Sequence, residues 1–271
     1  MNTYNIKNIT LLAAAALPLL FGAGLPAAAH AVDQGGAAKP TVVLVHGAFA
    51  DSSSWDGVTA KLQADGYRVI GAANPLRSVK GDAEFVASVL KSVGGPVVLV
   101  GHSYGGSVIT AAANGQANVK ALVYVSAFAP DKGESALDLS NKFPGSTLGP
   151  ALAKPVPLAG GGADLYIDQQ KFPAQFAADV PHAKAVLMAA GQRPVTDAAL
   201  KETSGEPAWK KIPSWSIYGK QDKNIPPAAM AFMAERAKSR HTVTVDGASH
   251  VVMVSHPAEV AKLIEEAATA K

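Results

Sequence analysis

The sequence predicts an α/β fold: one doubly wound, mostly parallel sheet of about six strands with a helical cap inserted between the fourth and fifth strands. Three observations carry this. Short apolar, β-rich runs such as Val97-Val98-Leu99-Val100 alternate with segments whose apolar residues recur at helical spacing, the order that covers both faces of a parallel sheet with helices. One stretch, from about Ala129 to Ile212, breaks that rhythm. The third is composition: 271 residues, 48% hydrophobic and 17% charged, with no Cys, describe a chain that must hold itself together with a core and not with disulfides.

Taken in order, the strands expected are Thr41–His46, Tyr67–Ala72, Pro96–Gly101, Val119–Val125, Ser214–Tyr218 and Thr242–Asp246. The helices between them are expected at Ser54–Ala64, Asp82–Val93, Tyr104–Asn114, Pro227–Lys238 and Pro257–Ala268. Pro227 and Pro257 stand where a first helical turn tolerates proline, since its missing N–H has no partner there anyway. Residues 129–212 show no clear buried strand, many Pro and Gly, and several short helix-like pieces. About eighty residues are too many for a plain loop in a compact domain, so they are read as the cap of small helices. Gly160-Gly161-Gly162 is read as a flexible joint within it, because no strand precedes it and no Lys-Ser/Thr follows.

Residues 1–31 differ from the rest. A polar start carrying Lys7 leads into an apolar run from Ile9 to Ala29, followed by Ala29-His30-Ala31, whose small first and third residues suit a signal peptidase. Cleavage after Ala31 is expected, leaving 32–271 as the folded domain, exported to the periplasm or secreted. Pro18, Pro26 and the Ala-rich, Leu-poor composition argue against a retained membrane anchor. The net charge of +3 is small and the basic residues are scattered. Without a basic stripe, nucleic acid is not an expected partner.

The strongest chemical signal is Gly101-His102-Ser103-Tyr104-Gly105-Gly106, directly after an apolar run and before a helix-like segment. A serine on such a tight strand-to-helix turn is held in a strained conformation with its hydroxyl exposed above the sheet, and the flanking glycines let strand and helix approach. Ser103 is therefore the candidate nucleophile. A serine hydroxyl needs a base, and the base needs an orienting group. Of seven histidines, His250 follows the last strand on a loop at the carboxyl edge of the sheet, where catalytic groups gather in such folds. His46 reads as a brace for its own loop, His102 as pointing off the elbow, and His256 as a cap for the last helix. Asp222, on the loop after the fifth strand, supplies the acid, with Asp131 as runner-up. Ser103, Asp222, His250 is also the chain order this architecture uses.

Attack on a carbonyl puts negative charge on its oxygen, and donors must already point at it. The N–H of Tyr104 is one; the other is expected from His46-Gly47-Ala48-Phe49, with Ala48 preferred and Phe49 as the alternative. Phe49, Tyr104, Phe128, Leu187 and Met188 are the expected pocket lining. No metal or organic cofactor is expected, since His-Glu-x-x-His, Cys pairs and dinucleotide glycine patterns are missing.

With these residues in hand, the sequence resembles the α/β-hydrolase superfamily. More narrowly it is similar to bacterial esterases related to plant methyl-ester esterases and hydroxynitrile lyases. The resemblance rests on Val43-Leu44-Val45-His46-Gly47-Ala48-Phe49 with Trp55 shortly after, the elbow, Tyr124-Val125-Ser126-Ala127-Phe128-Ala129-Pro130, and the Asp222 and His250 loops. It implies hydrolysis of a small to medium, rather hydrophobic ester, aryl or pyrethroid-like esters among the options. The plant hydroxynitrile lyases of this group carry Thr where this chain has Gly47 and Lys where it has Val251, and without that ammonium nothing stabilises a leaving cyanide. Relatives that dehalogenate or open epoxides use an Asp nucleophile, and here the elbow holds Ser103. Two alternatives keep the same scaffold: cofactor-free perhydrolysis or haloperoxidase-type activity, and a non-catalytic ligand-binding protein.

Overall fold

The computed structural model describes residues 39–271; the expected signal segment lies outside them. After β1 (Thr41–Val45) come a short 3-10 turn at Ser52–Trp55, α1 (Asp56–Ala64), β2 (Val69–Ala72), α2 (Val79–Ser92), β3 (Val97–His102), α3 (Tyr104–Ala112) and β4 (Val119–Val125). The inserted stretch carries α4 (Ala136–Lys142), α5 (Leu148–Ala151), β5 (Val156–Pro157), β6 (Ala163–Leu165), α6 (Phe172–Phe176), α7 (His182–Gly191), β7 (Val195–Thr196) and α8 (Asp197–Lys201). The chain then returns as β8 (Ser214–Gly219), α9 (Pro227–Arg236), β9 (Thr242–Val245), α10 (Val252–Ser255) and α11 (Pro257–Thr269).

The main sheet has the order β2-β1-β3-β4-β8-β9, and every pair in it is parallel. Its central register runs Val43 to Leu99, Leu99 to Leu122 and Val123 to Trp215. The inner strands are buried on both faces, which is why β1 and β3 read as unbroken Val and Leu runs. The edge strand β9 alternates exposed and half-buried residues. Each fully buried Val or Leu contributes about 1.5–3 kcal/mol, so the buried β1, β3 and β4 residues stabilise the fold substantially.

The helices follow from their stripes. In α11, Val260, Ala261, Leu263, Ile264 and Ala267 make one buried face, which packs with α1 on β3, β4 and β8. Helix α2 starts earlier than its apolar pattern suggests, because Ser78 accepts the N–H of Gly81 as an N-cap. It packs against α3.

The insertion differs from the expected cap of helices alone. Strands β5, β6 and β7 form a small antiparallel sheet. At two or three residues each they are too short to show a period-2 pattern. Gly160-Gly161-Gly162 is the turn of their first hairpin, not a loose joint: Gly161 and Gly162 have φ of 91° and 75°, and Gly161 donates to the Leu158 carbonyl at 3.0 Å. Polar ties fix the insertion to the core. Arg77 holds Asp164 at 2.6 Å and the Pro194 carbonyl at 2.7 Å, Glu202 accepts the Val79 N–H at 2.6 Å at the start of α2, and Arg236 pairs with Glu134 at 2.7 Å. Among the described residues no helix is long and apolar enough to cross a membrane.

Candidate active site

Ser103, Asp222, His250 and Ala48 leave the carboxyl ends of β3, β8, β9 and β1, which brings residues far apart in sequence to one edge of the sheet. Ser103 has φ 53° and ψ −124°, a conformation that L-residues rarely adopt and that aims its hydroxyl away from the sheet. Its neighbours hold it there: the Ser103 carbonyl accepts from Gly106 at 2.9 Å and from Phe128 at 3.2 Å.

The Ser103 Oγ lies 2.9 Å from His250 Nε2, and His250 Nδ1 lies 2.7 Å from Asp222 Oδ2. The other carboxylate oxygen of Asp222 accepts the N–H groups of Asn224 at 2.8 Å and Ile225 at 3.0 Å. All three side chains are buried. A carboxylate accepts only, so Nδ1 carries the imidazole proton and Nε2 presents a lone pair to the serine hydroxyl. The loop bearing His250 sits hard against β8 because Gly219 is there; any Cβ at that position would run into the Ala248 and Ser249 carbonyls.

Around His250 stand His102 and Phe176, with ring centroids at 4.8 and 5.0 Å. His102 does not point off the elbow. It is fully buried, donates from Nε2 to the His250 carbonyl at 3.2 Å, and is held neutral by burial and by the neighbouring His250. Phe176 comes from α6 of the insertion; no sequence pattern could have placed it beside an imidazole so far along the chain. Beside it Asp179 takes a hydrogen bond from the Ser249 hydroxyl. His256 starts α11 but makes no side-chain cap; its ring faces Asp179 at 3.5 Å and Glu259 at 3.6 Å. The runner-up acid, Asp131, is bound to Lys210 at 2.7 Å on the surface and is not the carboxylate at His250.

Ala48 and Tyr104 both border the cavity above Ser103, and no hydrogen bond among the described residues occupies either N–H. Phe49, the alternative donor, has spent its N–H on the Arg193 carbonyl at 3.0 Å. His46 is buried, donates to the Gly47 carbonyl at 2.9 Å, and burial lowers its pKa to about 4. The Tyr104 hydroxyl donates to buried Asp82 at 2.9 Å; burial pushes that carboxyl above the ordinary range.

The cavity above Ser103 measures about 220 Å³ and is mostly apolar. Phe49 and Phe128 line it, as expected. Leu187 and Met188 do not. They lie on α7 beside a different cavity, and Leu187 is 73% exposed; an apolar pattern on a helix does not say which side of a wall it faces. The leucines that do line the site, Leu137, Leu148, Leu152, Leu165 and Leu200, escaped the sequence reading because they sit in the irregular insertion. Among the described residues no group of three or more His, Asp or Glu side chains is placed to hold a metal ion.

Residues 42–263 match the model of the alpha/beta hydrolase family. The chain belongs to that family, and its relatives and structural neighbours include hydrolytic enzymes, esterases among them. It is 26% identical over 253 residues to an alpha-hydroxynitrile lyase of Arabidopsis thaliana, covering 85% of this chain and 98% of the relative. Among solved structures, it is similar to polyneuridine aldehyde esterase, with a TM-score of 0.73, 20% identity, and 84% and 98% of the two chains covered. It is also similar to a pyrethroid hydrolase of Sphingobium faniae, with a TM-score of 0.67, 23% identity, and 85% and 98% covered.

Proposed function

We propose that this protein hydrolyses carboxylic esters through an acyl-enzyme on Ser103. The observation that carries the reading is the continuous hydrogen-bond chain from Ser103 through His250 to Asp222 beneath an apolar cavity. The Ser103 oxygen attacks the ester carbonyl while His250 Nε2 takes its proton, and Asp222 steadies the imidazolium that forms. The oxygen that becomes negative is met by the N–H groups of Ala48 and Tyr104. When the tetrahedral intermediate collapses, His250 gives its proton to the departing alcohol. Water then repeats the sequence on the acyl-serine and releases the acid. The chemistry is complete with these side chains and asks for no cofactor.

The substrate is a small-molecule ester of modest size and apolar character, because about 220 Å³ falls below the roughly 300–1,000 Å³ of most ligand pockets. Aryl esters suit the Phe49, Phe128 and Phe176 walls. The named activity of the pyrethroid hydrolase points the same way. Cyanohydrin cleavage is disfavoured: Val251 follows His250 and is buried, so no ammonium stands where a cyanide would leave. The N-terminal segment directs the chain to export.

The test is covalent. Treatment with a fluorophosphonate and mass spectrometry of the peptides should give an adduct on Ser103 and none in Ser103→Ala, whose ester turnover falls at least about a thousandfold. A folded protein whose Ser103 stays unmodified would favour a ligand-binding scaffold and overturn the reading.

A further inference from the structure

The molecule has a further cavity, of about 310 Å³, with Phe49 in its wall. Among the described residues, Phe49 alone borders both this cavity and the one above Ser103. The second cavity is walled by residues following β1, such as Asp51 and Ser54, and by Lys184, Leu187, Met188 and Gly191 of α7. That spacing of i, i+3, i+4 and i+7 is one face of a helix, so α7 turns a continuous stripe toward this space. Leu187, otherwise an unexplained exposed leucine at 73%, lies on that stripe.

Phe49 itself is unusual. Its φ of 61° is a left-handed conformation that a bulky residue seldom takes, and a glycine would adopt it at less cost. The backbone is fixed apart from the ring, through the N–H bond to Arg193 of the insertion. Phe49 is 4% exposed, and its ring stands edge-on to Phe176 at 6.1 Å, which in turn packs beside His250. An aromatic residue at a strained position, nearly buried and shared by the walls of two cavities, stands where a partition would.

We infer that Phe49 is a specificity-determining residue: it closes the site above Ser103 against the α7 cavity and so sets the upper length of the apolar chain that an ester can carry. The inference builds on the proposed ester hydrolysis but concerns the shape of the site, so binding can test it without turnover. Removing the ring joins the two spaces, and a chain that stops at Phe49 in the parent then extends along the α7 stripe. Each methylene that leaves water contributes about fourfold in affinity, so admitting two or more raises binding of a long chain by about tenfold or more.

The experiment compares the parent with Phe49→Gly, Phe49→Leu, Met188→Trp and the pair Phe49→Gly with Met188→Trp. Decanoate binding is measured by calorimetry, and kcat/KM is measured for nitrophenyl esters graded from acetyl to decanoyl. In Phe49→Gly, decanoate should bind about tenfold tighter and the decanoyl-to-butyryl ratio of kcat/KM should rise by a similar factor. Phe49→Leu should show a smaller gain in the same direction. Adding Met188→Trp should fill the new space and abolish both gains, while Met188→Trp alone leaves the parent's ratio as it was. Gains that persist in the double variant, or no change in either Phe49 variant, overturn the partition. If the parent cleaves no ester yet decanoate binding still follows this pattern, the ester reading fails and the partition stands.

Discussion

Asp222→Asn separates the two jobs of this carboxylate. One oxygen holds the loop through the Asn224 and Ile225 N–H groups at 2.8 and 3.0 Å; the other faces His250 Nδ1 at 2.7 Å. An amide has only one acceptor oxygen, and two backbone donors claim it. Its NH2 is left toward Nδ1, which must give up its proton and become the acceptor. The proton then sits on Nε2 and points at Ser103, and a base has been turned into a donor. The loss is that of a wrong tautomer, about four orders of magnitude in kcat, or roughly 5 kcal/mol of barrier. The loop keeps its two bonds, so the thermal midpoint should stay within a few degrees of the parent. Initial rates on nitrophenyl butyrate, measured on protein shown by circular dichroism to be folded, decide the matter. A variant within tenfold of the parent would refute both the proton assignment and the role given to Asp222.

Three further outcomes follow from the same geometry. A Cβ at Gly47 would stand 2.6 Å from Ser103 Cβ and 2.7 Å from the His102 carbonyl, so Gly47→Thr should abolish esterase activity by displacing the serine, without creating cyanohydrin cleavage; a cyanide-release assay and nitrophenyl butyrate turnover check both halves. Burial holds His46 neutral down to about pH 4, whereas the unfolded chain takes up the proton near 6.5. Stability is therefore lost as pH falls through that window, on the order of 3 kcal/mol, and urea midpoints of His46→Gln should decline less between pH 7 and 4.5 than those of the parent. For Asp82 the sign is opposite: its raised pKa contributes stability below 3.8 that is lost as the pH rises and the buried carboxyl ionises. The stability of Asp82→Asn relative to the parent should accordingly shift in the variant's favour between pH 4 and pH 7 in urea titrations.

Much of the scaffold was legible because buried parallel strands leave an unmistakable mark. The Val42 to Val45 and Val97 to Val100 runs, and the elbow between β3 and α3, locate themselves. Asp222 and His250 could be nominated because strand ends are where loops converge, although only coordinates give their distances. What escaped lies in the insertion. Strands β5 and β7 have two residues each, and Phe176 owes its position over His250 to packing that no local pattern encodes. Leu187 and Met188 were misplaced for a related reason: a stripe on α7 looks the same whether it borders one cavity or the next. His102 was misread because an elbow residue beside the serine can turn either way, and Trp55, its edge-on neighbour at 6.3 Å, lies far back along the chain.

The link between the Ser249 hydroxyl and Asp179, together with Phe176 beside the imidazole, has a consequence for how the insertion can move. The segment bearing Phe176 and Asp179 is thereby fastened to the loop that bears His250, so displacing that segment would disturb the imidazole as well. The cavity itself reaches solvent at its rim, where Leu137 and Lys201 are exposed.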